Sequence, residues 1–244
     1  LGWIEHGGEG STDPFGLAGA GAWRDTRLGQ DIAFAATQHP PRLPLMHPSP
    51  RQPWTHDIGQ RLRVLQPLKI VGTTVWIWVF FIGYFHLLRN PMRPVMEMPL
   101  TAIDAWIPFQ PAWLIPYLSL WVYVGIAPGL QRNFKDLVVY GLWAGALCLA
   151  GLAFFALWPT RVPVQPMDDG GFPGYALLRG IDAAGNACPS MHVAIAIFTA
   201  CWIEHIFKSA GAPALLRAIN MAWFLAITYS TLATGQHVLL DAMA

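Results

Sequence analysis

Charge is what this chain has least of. Of its 244 residues only 12% are Asp, Glu, Lys or Arg, about half the roughly 25% usual for soluble domains. A water-facing surface over most of the chain is thereby excluded. With 54% hydrophobic residues and a mean hydropathy of +0.39, the composition is that of an integral membrane protein. The formal net charge of +1 supplies no basic surface for nucleic acid. Three cysteines make no disulfide framework. Cys148 and Cys201 fall inside apolar stretches, where thiols serve as small hydrophobes, and Cys188 stands alone as a free or packed thiol. No HExxH pattern occurs, and His39, His47 and His56 are irregularly spaced without cysteines nearby, which does not make a metal tract. No metal or other cofactor is expected.

What is present is a polar, punctuated stretch followed by long apolar runs. Residues 1–60 are rich in Gly, Pro, His and Arg without an apolar period. Such a segment buries too little apolar surface to offset its ordering entropy. Residues 1–60 are therefore expected to be a disordered, low-complexity region, and 61–244 a membrane domain. Apolar runs follow over 70–88, 111–130, 137–158, 189–207 and 219–232, a series near the roughly 20 residues needed to cross a bilayer. A sixth begins near His237 and is cut off at Ala244, as in a fragment. The expected fold is all-α, a polytopic transmembrane bundle, with an interfacial amphipathic segment over 92–108.

Basic residues orient it. Arg51, Arg61, Arg63 and Lys69 precede the first run, Arg132 and Lys135 follow the second, and Lys208 and Arg217 follow the fourth. The opposite loops mix Arg89, Arg93, Arg161 and Arg179 with Glu97, Asp104, Asp168, Asp169 and Asp182. The bias puts the N-terminus in the cytoplasm. Arg161, His192 and His237 then share the extracytoplasmic face.

Two stretches near the end carry chemistry. In Cys188-Pro189-Ser190-Met191-His192, a Ser and a His sit beside a Pro, where a helix is expected to begin. The free N–H groups and positive dipole end of a helix start suit a phosphate. Farther on, Ser230-Thr231 is followed by His237 and then by Asp241, and a spacing of four stacks two side chains on one helix face. A carboxylate there holds the imidazole in one tautomer and leaves the other nitrogen free to attack. Taken singly, each residue has a plainer reading. Ser190 is then an N-terminal cap, Arg161 an interfacial residue with its head at the surface, and Thr231 and Thr234 are small packing residues. Asp182 and Asn186 are then solvated loop, and His86, Glu204 and His205 interfacial. An ionisable pair such as His237 and Asp241 at a membrane helix start is costly and usually functional, and its convergence with Arg161 and His192 on one face favours a site.

These residues resemble the motifs of the type 2 phosphatidic acid phosphatase (PAP2) superfamily, written KxxxxxxRP, PSGH and SRxxxxxHxxxD. Pro189-Ser190-Met191-His192 carries Met in place of Gly, and Ser230-Thr231 with His237 and Asp241 carries Thr in place of Arg. Arg161 lies where the first motif has its Arg, with Phe154 at the Lys position and Pro163 displaced by one. These departures resemble the branch of inositol-phosphorylceramide-synthase-like proteins. The stretch from Asp104 to Pro111 also resembles one common in that branch, though no chemical role follows from it. The resemblance covers about 161–241 and implies a six-helix core, its last helix truncated here.

The resemblance also implies roles. His237, oriented by Asp241, is the nucleophile that forms a phosphohistidine. His192 is the general acid that protonates the leaving alkoxide. Arg161, Ser190 and the backbone N–H at Met191 cradle the phosphate. The implied substrate is a lipid phosphate or diphosphate, the implied partners are membrane lipids, and the implied enzyme is a phosphatase in which water takes the phosphoryl group. Transfer of a phospho-head-group to a lipid hydroxyl is the alternative, motivated by Phe154 and Thr231. A third reading is a non-catalytic membrane protein that retains the motif shapes; the intact pairing of His237 with Asp241 argues against it. A soluble vanadium haloperoxidase shares the site geometry, but the apolar runs argue against that.

Overall fold

The computed structural model describes residues 53–163 and 186–244. Expectations for 1–52, and for Asp168, Asp169, Arg179 and Asp182, lie outside the described residues. Seven α-helices occur among the described ones: α1 (Trp54–Arg63), α2 (Gln66–Arg89), α3 (Leu114–Gly129), α4 (Phe134–Leu157), α5 (Met191–Ala210), α6 (Ala214–Ala233) and α7 (Leu239–Met243). Counting the 3-10 turn Pro111–Trp113 with α3, five are long and apolar enough to cross a membrane. The fold is the expected all-α polytopic bundle.

One boundary is corrected. Residues 54–60, expected to lack structure, form most of α1. The helix is held by an Asp57–Arg61 pair at 2.9 Å, by acidic and basic residues at the dipole ends that favour them, and by Trp54 and Ile58 packed on the bundle. The segment between α2 and α3 forms no long helix, because Pro91, Pro94 and Pro99 remove donors and clash with the preceding turn. Instead Met96–Glu97 (β1) pairs in parallel with Thr160–Arg161 (β2), and Asp104–Trp106 makes a 3-10 turn.

The centre of the bundle is built on small residues. Ala127, Ala144, Ala196 and Ala200 are buried among Leu120, Tyr123, Tyr140, Ile203 and Ile227, and small side chains let membrane helices approach closely. One polar knot crosses this core. The Tyr123 hydroxyl donates to Asn220 Oδ1 at 2.7 Å, and Asn220 Nδ2 donates to the Ala200 carbonyl at 3.0 Å, tying α3, α5 and α6 together. Outward faces stay apolar. Trp78, Ile82, Ile115, Val122, Leu142 and Leu149 are exposed, as a lipid solvent allows.

The two ends of the bundle are polar. At one, Lys69 and Arg61 reach the C-terminal ends of α3 and α5. At the other lie the start of α5, the end of α6 and the start of α3, and the motif residues with them.

Candidate active site

α6 stops in a way that aims the chain back at the bundle. Gly235 adopts φ 66°, the left-handed conformation glycine tolerates best. Gly235 N–H donates to the Leu232 carbonyl at 2.9 Å and Gln236 N–H to the Thr231 carbonyl at 3.1 Å, the paired bonds of a Schellman ending. The His237 amide shares the Thr231 carbonyl, also at 3.1 Å. His237 is thus delivered by a loop. The expected helical stacking of His237 and Asp241 is corrected: α7 begins only at Leu239, with Val238 as its N-cap. The pair meets all the same, because Asp241 in the first turn of α7 accepts the Val238 N–H at 3.0 Å and so faces back toward the loop.

The side chains then form a line. Asp241 Oδ1 lies 3.3 Å from His237 Nδ1. His237 Nε2 lies 3.3 Å from His192 Nδ1. His192 Nε2 lies 2.9 Å from the Tyr117 hydroxyl, whose ring stacks on the imidazole at 4.8 Å. Each neutral imidazole has one N–H and one lone pair. With both imidazoles neutral and the His237 N–H on the Asp241 side, Tyr117 donates to His192 and His192 donates to His237, while His237 Nδ1 only faces Asp241 Oδ1. The line is nearly dry, with His237 8%, Tyr117 2% and Asp241 1% exposed, while His192 is half-buried. It is also incompletely bonded. His237 Nδ1 and Asp241 Oδ2 are buried without an aligned hydrogen-bond partner; the contact between His237 Nδ1 and Asp241 Oδ1 is close enough for an ion pair but out of line for a hydrogen bond.

Backbone bonds lock the two motifs together. Ser190 N–H donates to the Asp241 carbonyl at 2.7 Å, joining the start of α5 to the start of α7. Ser190 Oγ accepts the Val193 N–H at 3.3 Å and is the N-cap of α5. The Met191 side chain points away from this line into a cluster with Tyr84, Cys148 and Phe155. A Cβ at Gly151 would collide with the Met191 sulfur, so a glycine on α4 makes room for the Met that replaces the motif's Gly. Thr231 and Thr234 bond their hydroxyls to the Thr228 and Ser230 carbonyls, which supports their reading as packing residues. Asn186 is not solvated loop. It is buried, and its Nδ2 donates to the Tyr84 carbonyl at 3.1 Å.

Arg161 stands apart from the line. Thr160 and Val162 on either side of it are buried, Thr160 Oγ1 accepts the Cys188 N–H at 2.8 Å, and Val162 packs with Ala187 and Val238. The alternation of the strand puts Arg161 on the outer side, half exposed and paired with Glu97 at 2.5 Å. Phe154, at the motif's Lys position, is 56% exposed.

Two residues absent from the sequence-derived set contact the candidate site. Tyr117 comes from α3, 75 residues before His192. Asp104 Oδ1 accepts the Leu239 N–H at 2.7 Å, and its Oδ2 accepts both the amide and the hydroxyl of Thr101 at 2.7 Å. Burial works to raise the Asp104 pKa, but the hydrogen bonds from Thr101 and Leu239 outweigh it and hold the carboxyl below the ordinary range. Cys188 is pushed the other way, first by burial and then by the charge of Asp241. Among the described residues no three of His, Cys, Asp and Glu gather as a metal-ligand set.

Residues 63–244 match the family model described as PAP2 superfamily. Comparison with curated proteins and with solved structures gave no match.

Proposed function

This chain belongs to the PAP2 superfamily, and from that premise we propose that it is a membrane lipid phosphatase working through a phosphohistidine. The observation that carries the reading is the line from Asp241 through His237 to His192, in which His237 presents Nε2 toward the second imidazole at 3.3 Å. His237 Nε2 attacks phosphorus as the bond to the lipid oxygen breaks, and the leaving oxygen takes a proton from His192, which enters this step as the imidazolium, its extra proton taken up with the substrate, and leaves it neutral. Neutral His192 then takes a proton from water, the hydroxide attacks phosphorus, and the P–N bond breaks to release phosphate. Near-attack N···P separations are about 3–3.5 Å, so a phosphoryl group does not fit in the present 3.3 Å gap between the rings. It takes the place of that hydrogen bond, the rings parting around it. Arg161 exchanges Glu97 for a phosphate oxygen, while Ser190 and the amides at Met191 supply donors at the head of α5.

The distribution of described charges supports an extracytoplasmic site. Arg61, Lys69, Arg132, Lys135, Lys208 and Arg217 all belong to the opposite end, which the basic-loop rule assigns to the cytoplasm.

A second reading, transfer of a phospho-head-group to a lipid hydroxyl, is favoured by one observation. Phe154 replaces a motif cation, and Arg161 is engaged by Glu97. So few cations suit the single charge of a phosphodiester better than the two charges of a monoester.

The test uses purified full chain with short-chain phosphatidic acid and an isoprenyl diphosphate, against a head-group exchange assay with labelled phospholipid. Hydrolysis predicts released phosphate and an acid-labile phosphoenzyme, both absent in His237→Ala. Label moving only between lipids selects transfer. Neither product, or turnover indifferent to His237→Ala, overturns the proposal.

A further inference from the structure

The loop that delivers His237 is braced at both ends by one distant segment. At its start, Gln110 N–H donates to the Ala233 carbonyl at 2.8 Å. At its finish, Asp104 accepts the Leu239 N–H at 2.7 Å. The loop between, 234–238, carries the one side chain that faces both Asp241 and His192. Further contacts fix the brace itself. Gln110 Nε2 donates to the Tyr229 hydroxyl at 3.1 Å, Trp113 Nε1 donates to Gln110 Oε1 at 3.0 Å, and the rings of Trp113 and Tyr229 meet edge to face at 4.6 Å. Phe109 packs on Leu114 and Tyr117, so the same segment supports the residue beneath His192.

Asp104 is the member of this brace whose side chain cannot be replaced by packing. Its two oxygens take three donors, two from Thr101 on its own segment and one from Leu239 across 135 residues. The first amides of a helix have no intrahelical acceptor. In α7, Val238 and Leu239 are met by Asp241 and Asp104 respectively. Asp241 can hold its place facing His237 only while α7 starts where it does, and that start is what Asp104 anchors. We propose that Asp104 is a positioning residue for the nucleophile, setting the register of α7 so that Asp241 and His237 meet. The proposal rests on the reading of His237 as nucleophile.

The test compares wild type, Asp104→Ala, Asp104→Asn and His237→Ala as full chains in detergent, with dioctanoyl phosphatidic acid as substrate and amide hydrogen exchange over 234–243. Asp104→Ala should lower kcat by about ten- to a hundredfold, as losing an orienting partner does, with KM within about twofold, and should speed exchange about tenfold. Asp104→Asn keeps an oxygen that can accept from Leu239 and should recover most of both. If Asp104→Ala fails to fold, Asp104→Ser, too short to reach Leu239, takes its place. Wild-type exchange in that variant overturns the proposal, and so does faster exchange with wild-type kcat or a loss confined to KM. A fully active His237→Ala would instead sink the nucleophile reading; exchange, which needs no substrate, would then still decide whether Asp104 anchors α7.

Discussion

Lys69 and His237 are both titratable groups buried at the margins of the bundle, and they are housed differently. Lys69 has three N–H donors, and they meet three carbonyls: Arg61 at 2.6 Å, Gln131 at 2.7 Å and Gly129 at 2.9 Å. Arg61 beside it is spread over Asp57, the Leu130 carbonyl and Ser209. The three Lys69 donors are thus all met within the fold. At the other end, His237 Nδ1 and Asp241 Oδ2 are buried without an aligned partner, and the bond between the two imidazoles is long at 3.3 Å. Buried polar groups are nearly always bonded. One end uses its cations to seal helix termini, whereas at the end proposed as the site two facing titratable groups keep hydrogen-bonding capacity that the fold does not use.

The largest expected effects test this contrast directly. His237→Ala should reduce turnover by more than about a thousandfold, and Asp241→Asn by about a hundred- to ten-thousandfold, magnitudes seen when a nucleophile or its orienting carboxylate is removed elsewhere. Both proteins should stay folded by circular dichroism. Lys69→Met should do the reverse. It leaves carbonyls without their donor, costing about 1–3 kcal/mol of stability, while kcat per folded molecule stays within about twofold. A Lys69→Met protein that melts normally but turns over poorly would erase the distinction between the ends.

Tyr117→Phe probes how far the reactive line extends. It keeps the ring stacked on His192 and removes the 2.9 Å bond to Nε2. Losing a bond to a group that becomes cationic removes about 1.5 kcal/mol or more, near a tenfold loss in kcat, measured at saturating substrate. Unchanged kcat would end the line at His192. A smaller effect is expected one layer out. Gly151→Ala should cost about 1–3 kcal/mol of stability from overpacking against Met191, and Met191→Ala should relieve part of it in the double variant. Activity per folded molecule should hold throughout, because only the backbone of Met191 belongs to the reactive end.

Much of this contrast can be read in the sequence, and the part that cannot has a physical reason. The five spans declare themselves by length and apolarity, and His192, His237 and Asp241 by spacing within single motifs. Helix ends shift by a few residues where a cap intervenes, as at Ser190 before α5 and Gly235 after α6. Tyr117 and Asp104 carry no local pattern that announces their task. Their partners lie 75 and 135 residues away, a pairing that only the packed bundle creates. The nearest thing to a signal is the isolation of Asp104 among Ile103, Ala105 and Trp106, where a lone carboxylate needs donors from somewhere. Arg161 is a different case: its motif resemblance is local, but its partner in the fold is Glu97, 64 residues away in sequence.

The smallest expected effect sharpens the comparison at its least conspicuous atom. Cys188 lies between the motifs, its amide held by Thr160, and its thiol is raised above the ordinary value of 9.0 by burial and then by the charge of Asp241. A raised thiol pKa means less thiolate at neutral pH, and the thiolate is what reacts. Alkylation of Cys188 by iodoacetamide, followed by peptide mapping to separate it from Cys148 and Cys201, should be slow at pH 7.5. It should climb about tenfold per pH unit until well above pH 9, since each unit below a pKa divides the thiolate by ten. Asp241→Asn removes the second cause but not burial, so alkylation at fixed pH should rise but stay below that of an exposed thiol. A rate that did not change would mean that the charge of Asp241 does not act on the thiol, leaving burial as the one cause of the raised value.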